Sequence, residues 1–193
     1  AVGNISALGG TMVANTGNAV VNSSAGSVAL TSLSATAGAI TVGAATTLNS
    51  GTLSANNGLN LSGGSTLTFG PLSTSTGTII LNATGATSDL VLNGDVNIAT
   101  TGLAAGQAAF SATAGRDVLL ASTTNITTAS GAVALQAGRN VDLKVNDFGG
   151  NGSANAINAA GNLDITASAG QIIKSDGNSI TFIMSFKSTQ SKN

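Results

Sequence analysis

Gly26-Ser27-Val28-Ala29-Leu30 is a glycine, one spacer, and then residues that alternate between apolar and small or polar. The phrase returns as Gly38-Ala39-Ile40-Thr41-Val42, Gly51-Thr52-Leu53-Ser54-Ala55, Gly131-Ala132-Val133-Ala134-Leu135 and Gly161-Asn162-Leu163-Asp164-Ile165. An alternation of period two puts Val28 and Leu30 on one side and Ser27 and Ala29 on the other, which describes a short strand with one buried face. A helix needs a period of 3.6. Glycine before each strand is expected to supply a turn with positive φ.

The repeat length narrows the architecture. Gly17, Gly38, Gly58, Gly77, Gly94, Gly115, Gly138 and Gly161 follow one another at intervals of 17 to 23 residues, and a second series, Gly26, Gly43, Gly64, Gly85 and Gly106, runs between them. Periods of 20 to 50 residues mark solenoids. The expectation is an all-β fold, a parallel β-helix with coils of about 20 residues and two or three strands per coil. Residues 1–182 read as a single repeat domain of about nine coils, a rod on the order of 43 Å at the usual strand spacing. Residues 183–193 read as a C-terminal cap or polar tail.

Stacked coils place equivalent side chains above one another, so the inward column is expected to hold Val28, Leu30, Ile40, Val42, Leu59, Leu61, Leu67, Phe69, Ile79, Leu81, Val96, Ile98, Val118, Leu120, Val133, Leu135, Val141, Leu143, Leu163 and Ile165. The five phenylalanines, Phe69, Phe110, Phe148, Phe182 and Phe186, read as core. Three segments depart from the repeat. Residues 102–114 are alanine-rich, but two internal glycines each cost a helix about 1 kcal/mol, so strand and turn are expected there. Residues 146–160 read as an enlarged loop. The apolar run Ile180 to Phe186 reads as a last strand, a cap or a pairing edge.

Composition excludes several classes of function. Charged residues are 7% of the chain, and residues 1–88 hold none. The acids are all aspartates, at 89, 95, 117, 142, 147, 164 and 176, and the bases are Arg116, Arg139, Lys144, Lys174, Lys187 and Lys192. Neither sign forms a run, so no nucleic-acid footprint is expected. Disorder usually joins low hydrophobicity to high net charge, whereas mean hydropathy here is +0.35 and net charge −1. The absence of cysteine removes disulfides and thiolate metal sites and suits export in an unfolded form. No apolar stretch is long enough for a transmembrane helix, and residues 1–30 lack a signal-peptide pattern, so the chain reads as mature or cut from something longer.

With no histidine, imidazole zinc sites and histidine-dependent triads are out. Arg116 and Arg139 are 23 residues apart and should stack as a short basic ladder or as solvated turn residues, the ordinary state of arginine. Asp142 and Asp164 are expected at equivalent outward positions of adjacent coils, about 5 Å apart, where they would repel or share a cation. Gly149-Gly150-Asn151-Gly152 approaches the calcium-binding nonapeptide, but Ala154 stands where the aspartate ligand belongs. Thr41, Thr68, Thr127, Thr166 and Thr181 should face outward, as in an ice-binding array, but other residue types interrupt the row. Asn-x-Ser/Thr sequons begin at Asn4, Asn22, Asn60, Asn82, Asn125 and Asn151, a frequency that composition explains. No catalytic residue, metal ligand or cofactor is expected, and the chain reads as non-enzymatic.

Ala114-Gly115-Arg116-Asp117-Val118-Leu119-Leu120, Ala137-Gly138-Arg139-Asn140-Val141-Asp142-Leu143 and Ala160-Gly161-Asn162-Leu163-Asp164-Ile165 resemble the repeats of filamentous haemagglutinin-like adhesins, the two-partner secretion exoproteins of Gram-negative bacteria. The likeness is good over residues 111–182 and looser before. It implies a right-handed β-helix forming the shaft of a secreted or cell-surface fibre active in adhesion or biofilm. It also implies an outer-membrane translocator and a host receptor or glycan as partners. The family's Asn-Pro secretion motif has no counterpart, because the single proline, Pro71, follows Gly70. Two other readings stand beside the shaft: a self-assembling filament of copies joined end to end through β-edges, and an ice-binding solenoid.

Overall fold

The computed structural model describes residues 1–144 and 157–173. These form nineteen strands and no helix, and every strand pairing is parallel. The first coil runs through β1 (Ile5–Ala14) and β2 (Ala19–Ser23), the second through β3 (Val28–Ala35) and β4 (Ile40–Ala44), and the third through β5 (Leu48–Ala55) and β6 (Leu59–Gly63). From the fourth coil the long strand divides: β7 (Leu67–Phe69), β8 (Leu72–Thr74) and β9 (Ile79–Ala83), then β10 (Leu90–Leu92), β11 (Val96–Ile98) and β12 (Ala108–Ala114). The sixth coil is β13 (Val118–Leu120), β14 (Ile126–Thr128) and β15 (Ala132–Ala137), the seventh β16 (Val141–Leu143), β17 (Ile157–Asn158) and β18 (Leu163–Ala167), and β19 (Ile172–Ile173) begins another turn.

Stacking these coils produces a β-solenoid with three faces. Face one is the ladder of the first halves of β1, β3 and β5 followed by β7, β10, β13, β16 and β19. Face two takes the second halves of β1, β3 and β5 and continues through β8, β11, β14 and β17. Face three is β2, β4, β6, β9, β12, β15 and β18. Seven steps on face one, at roughly 4.8 Å each, make a rod of about 34 Å.

The described residues thus contain seven coils where nine were expected over residues 1–182. Coils average roughly 23 residues. Early steps are short, as in Leu48 beneath Leu67, and later ones lengthen, as in Ile126 beneath Ile157. The glycine series explains the discrepancy, because it crosses corners. Gly38 and Gly77 precede strands of face three, Gly94 precedes face two, and Gly115 precedes face one.

The inward column is otherwise as the alternation predicts. Eighteen of the twenty expected side chains, from Val28 to Leu143, are in the buried core, while Leu163 and Ile165 in the last described rung of face three are half-buried against it. Each fully buried aliphatic side chain contributes roughly 1.5–3 kcal/mol of transfer free energy. Phe69 and Phe110 are both fully buried. Residues 102–114 form the expected turn and strand, and the turn leans on later coils: Leu103 N–H donates to Ser130 Oγ (3.1 Å), and Asn162 N–H donates to Ala105 O (2.9 Å). Of the loop expected at 146–160, Ile157 and Asn158 instead form a rung on Ile126 and Thr127. Its earlier residues, the run Ile180 to Phe186, the tail 183–193, and Phe148, Phe182 and Phe186 lie outside the described residues.

The glycines work differently from expectation. Of the five quoted phrases only Gly131 has a positive φ, +78°. Most of the others are required by close approach between coils. A Cβ on Gly85 would lie 2.2 Å from Gly64 O, on Gly115 2.0 Å from Gly85 O, and on Gly138 2.0 Å from Gly115 O. This corner, just before face one, is a column of glycines because successive turns stack backbone on backbone there.

Candidate functional site

Half of the charged side chains among the described residues, Asp89, Arg116, Asp117 and Arg139, gather beside that glycine corner, on the turns leading into face one. Arg116 and Arg139 do stack, with Arg139 N–H donating to Arg116 O (2.7 Å), but they form no basic ladder. Each guanidinium grips the aspartate of the coil before it. Arg116 Nε donates to Asp89 Oδ1 at 2.7 Å while its Nη2 pairs with Oδ2, and Arg139 repeats this on Asp117, with Nε to Oδ1 at 2.9 Å. The result is a staircase, Asp89–Arg116 and Asp117–Arg139, linked by Arg116 Nε at 3.8 Å from Asp117 Oδ2. The Asp side chains are 13% and 10% exposed and the Arg side chains 42% and 54%, so carboxylates sit against the backbone and guanidiniums cover them.

The carboxylates also satisfy backbone donors. Asp89 Oδ1 accepts from Asp117 N–H (3.3 Å), Asp117 Oδ1 from Asn140 N–H (3.0 Å), and Asn140 Oδ1 from Gln171 N–H (3.0 Å). The same device opens the rod, where Asn4 Oδ1 accepts from Ser27 N–H at 2.9 Å. An Asn or Asp just before a face-one strand therefore fastens its coil to the next. The Arg139 hydrogen bond, aided by Asn140 N–H and opposed by burial, holds the Asp117 carboxyl below its ordinary pKa. Arg116 and Arg139 are correspondingly raised by their aspartates.

The expected Asp142 and Asp164 pair does not form. Asp142 lies on face one between Leu119 and Ile173, whereas Asp164 stands on face three beside Ala134. Their spacing of 22 residues matches a coil only if every coil has one length, and the step from Val133 to Leu163 is longer. Asp142 is also buried, at 8% exposure, rather than outward in solvent. Among the described residues no three His, Cys, Asp or Glu side chains gather as a metal site. The segment Gly149 to Ala154 lies outside them.

The outward threonines scatter. Thr41 and Thr166 are on face three in the second and seventh coils, Thr68 is on face one and Thr127 on face two, while Thr181 is outside the described residues. Sequon asparagines 4, 22, 60 and 82 are exposed, and Asn125 Nδ2 is tied to Asp95 Oδ1 at 2.9 Å. A shallow groove on face three runs between Thr113, Gln136 and Thr166 over Gly138 and Ser168. Its lining is neutral.

Sequence reasoning missed Asp89 as the partner of Arg116. The two are separated by a coil in which Leu90 stacks beneath Val118, longer than the repeat the glycines suggest. The stacking of Arg139 on Arg116 was legible because that coil kept the spacing of the Gly115 and Gly138 phrases. The fold and these surfaces define a β-solenoid repeat protein. No family model, curated protein or solved structure matches the chain.

Proposed function

We propose that the chain is a non-catalytic shaft segment of a secreted or cell-surface adhesin or fibre of a Gram-negative bacterium. The observation that carries this reading is that the described residues stack as seven coils around one largely aliphatic core, with mostly polar or small residues on the outward rows. The resemblance of the Gly115, Gly138 and Gly161 phrases to filamentous haemagglutinin-like repeats supports the same conclusion. Such a stack resists bending because each coil is bonded to its neighbours on three faces, so it holds whatever is attached at its ends at a fixed separation. Receptor or glycan recognition, and passage through an outer-membrane translocator, belong in this reading to other parts of the assembled exoprotein.

The test is to place the chain between two compact domains visible by electron microscopy. A narrow distribution of separations consistent with a rod of about 34 Å is expected. A broad distribution, as for a flexible linker, would remove the shaft reading.

A further inference from the structure

Coil five turns from face two to face three unlike the other described coils. Residues 99–107 join β11 to β12 with nine residues, where residues 56–58 and 129–131 make the same turn with three. The extra chain does not stand away from the rod. It turns at Gly102, where φ is +84°, and again at 104–107, where Gln107 N–H donates to Ala104 O at 2.9 Å. Between these turns Leu103 is half-buried against the core, while Gly102 and Ala104 on either side are exposed. One apolar side chain anchors a segment made mostly of small residues.

The segment is bonded to coils six and seven. Ser130 Oγ in coil six accepts from Leu103 N–H (3.1 Å) and donates to Thr100 O (2.7 Å), and Ala132 N–H donates to Gln107 O (2.8 Å). One rung further, Asn162 N–H donates to Ala105 O (2.9 Å), so coil seven is bonded to coil five directly, across coil six. Glycine marks both crossings: a Cβ on Gly131 would lie 2.9 Å from Leu103 Cδ1, and one on Gly161 would lie 2.3 Å from Ala105 O. These glycines open two of the repeated phrases, so the repeat itself leaves room for the crossing chain.

Coil seven is where such a hold matters. The chain leaves face one after Leu143 and re-enters the ladder at β17, which pairs with β14 through Ile157 and Asn158 alone before turning into β18. A longer connection costs more entropy to close, and a two-residue rung offers little to offset it. The turn that follows, residues 159–162, is the part that the coil-five segment meets at Gly161 and Asn162. We infer that residues 99–107 are a strap that passes over coil six and fixes the register in which coil seven rejoins face three. The strap makes coils five, six and seven one unit that opens together, and without it β18 opens by itself.

To test this in the full chain, residues 99–107 are replaced by Ala-Ser-Gly, the turn sequence of residues 129–131, and hydrogen exchange is read by mass spectrometry without denaturant. Amides of β18 are expected to exchange at least about tenfold faster than in the parent, the scale of one lost hydrogen bond, with β4 and β6 unchanged. The chain has no cysteine, so Gly106→Cys/Asn162→Cys probes the crossing itself, where a Cβ on Gly106 falls 3.9 Å from Asn162 Nδ2. Mild oxidation should close an intramolecular disulfide, and β18 should then exchange more slowly than in the reduced pair. Unchanged β18 exchange in the shortened chain, equal acceleration in every strand, or a cysteine pair that stays reduced would each overturn the inference. A rod without the strap would still stack its other coils, so any of these results leaves the shaft reading standing.

Discussion

The coils before residue 89 and those after it share a core but are fastened differently. In the first region, steps such as Ile40 to Leu59 are short, and the rungs are tied by hydroxyl and amide groups, as where Thr47 Oγ1 donates to Ser27 Oγ at 2.7 Å. In the second region steps stretch, as from Ile79 to Phe110, and the Asp–Arg staircase appears. Yet Leu61 and Leu81 in one and Ala112 and Leu135 in the other occupy one continuous inward column on face three. Register is therefore set by which side chains enter the core, and turns absorb extra residues without disturbing it. Charge is an edge fastening added to a structure that the first four coils build without it.

The largest effect should come from the core, and should be equal in the two regions. Phe69→Ala and Phe110→Ala are each expected to cost about 3–5 kcal/mol by urea denaturation, since both rings are fully buried. A large cost for one and a small cost for the other would break the equivalence of the two cores.

Next is the glycine corner. Gly115→Ala would force a methyl group to within 2.0 Å of Gly85 O, and about 1–3 kcal/mol of destabilisation is expected. Gly10→Ala, which meets nothing in the single molecule, should leave monomer stability unchanged in the same assay. If both substitutions are neutral, backbone stacking does not explain the glycines.

The staircase separates the regions by pH. Asp117 has a folded pKa below its unfolded value of about 3.9. Its contribution is thus complete above that unfolded value and is lost as pH falls through the folded one. Asp117→Asn should destabilise the protein by about 1–2 kcal/mol at neutral pH, through the charged hydrogen bonds it weakens. The difference between variant and parent should shrink to nothing in strong acid. A pH-independent difference would mean that Asp117 acts by shape and not by charge.

The smallest effect is at Ser50, whose buried Oγ has no hydrogen-bond partner inside the uncharged region. Ser50→Ala is expected to stabilise by about 0.5–1 kcal/mol in thermal unfolding. Destabilisation would show that the hydroxyl does have a partner in solution.

These contrasts also explain what could be read in advance. The alternation at Val28/Leu30 or Val133/Leu135 is local and survives any change of coil length, so the strands and inward positions were legible. Relations between coils were legible only where the spacing held. Arg116 and Arg139 stack because their coil keeps the motif spacing, whereas Asp142 and Asp164 part because a longer excursion lies between β15 and β18. The steric role of Gly85 or Gly138 was invisible because a one-dimensional sequence does not show which backbone lies against it.

Hydrogen exchange read by mass spectrometry tests the central claim, that one continuous solenoid spans both regions. Strand amides in 28–63 and in 108–143 are predicted to be protected alike and to be released together as denaturant rises, because they are rungs of the same ladders. Early exchange of the uncharged region, with the charged coils still protected, would contradict it.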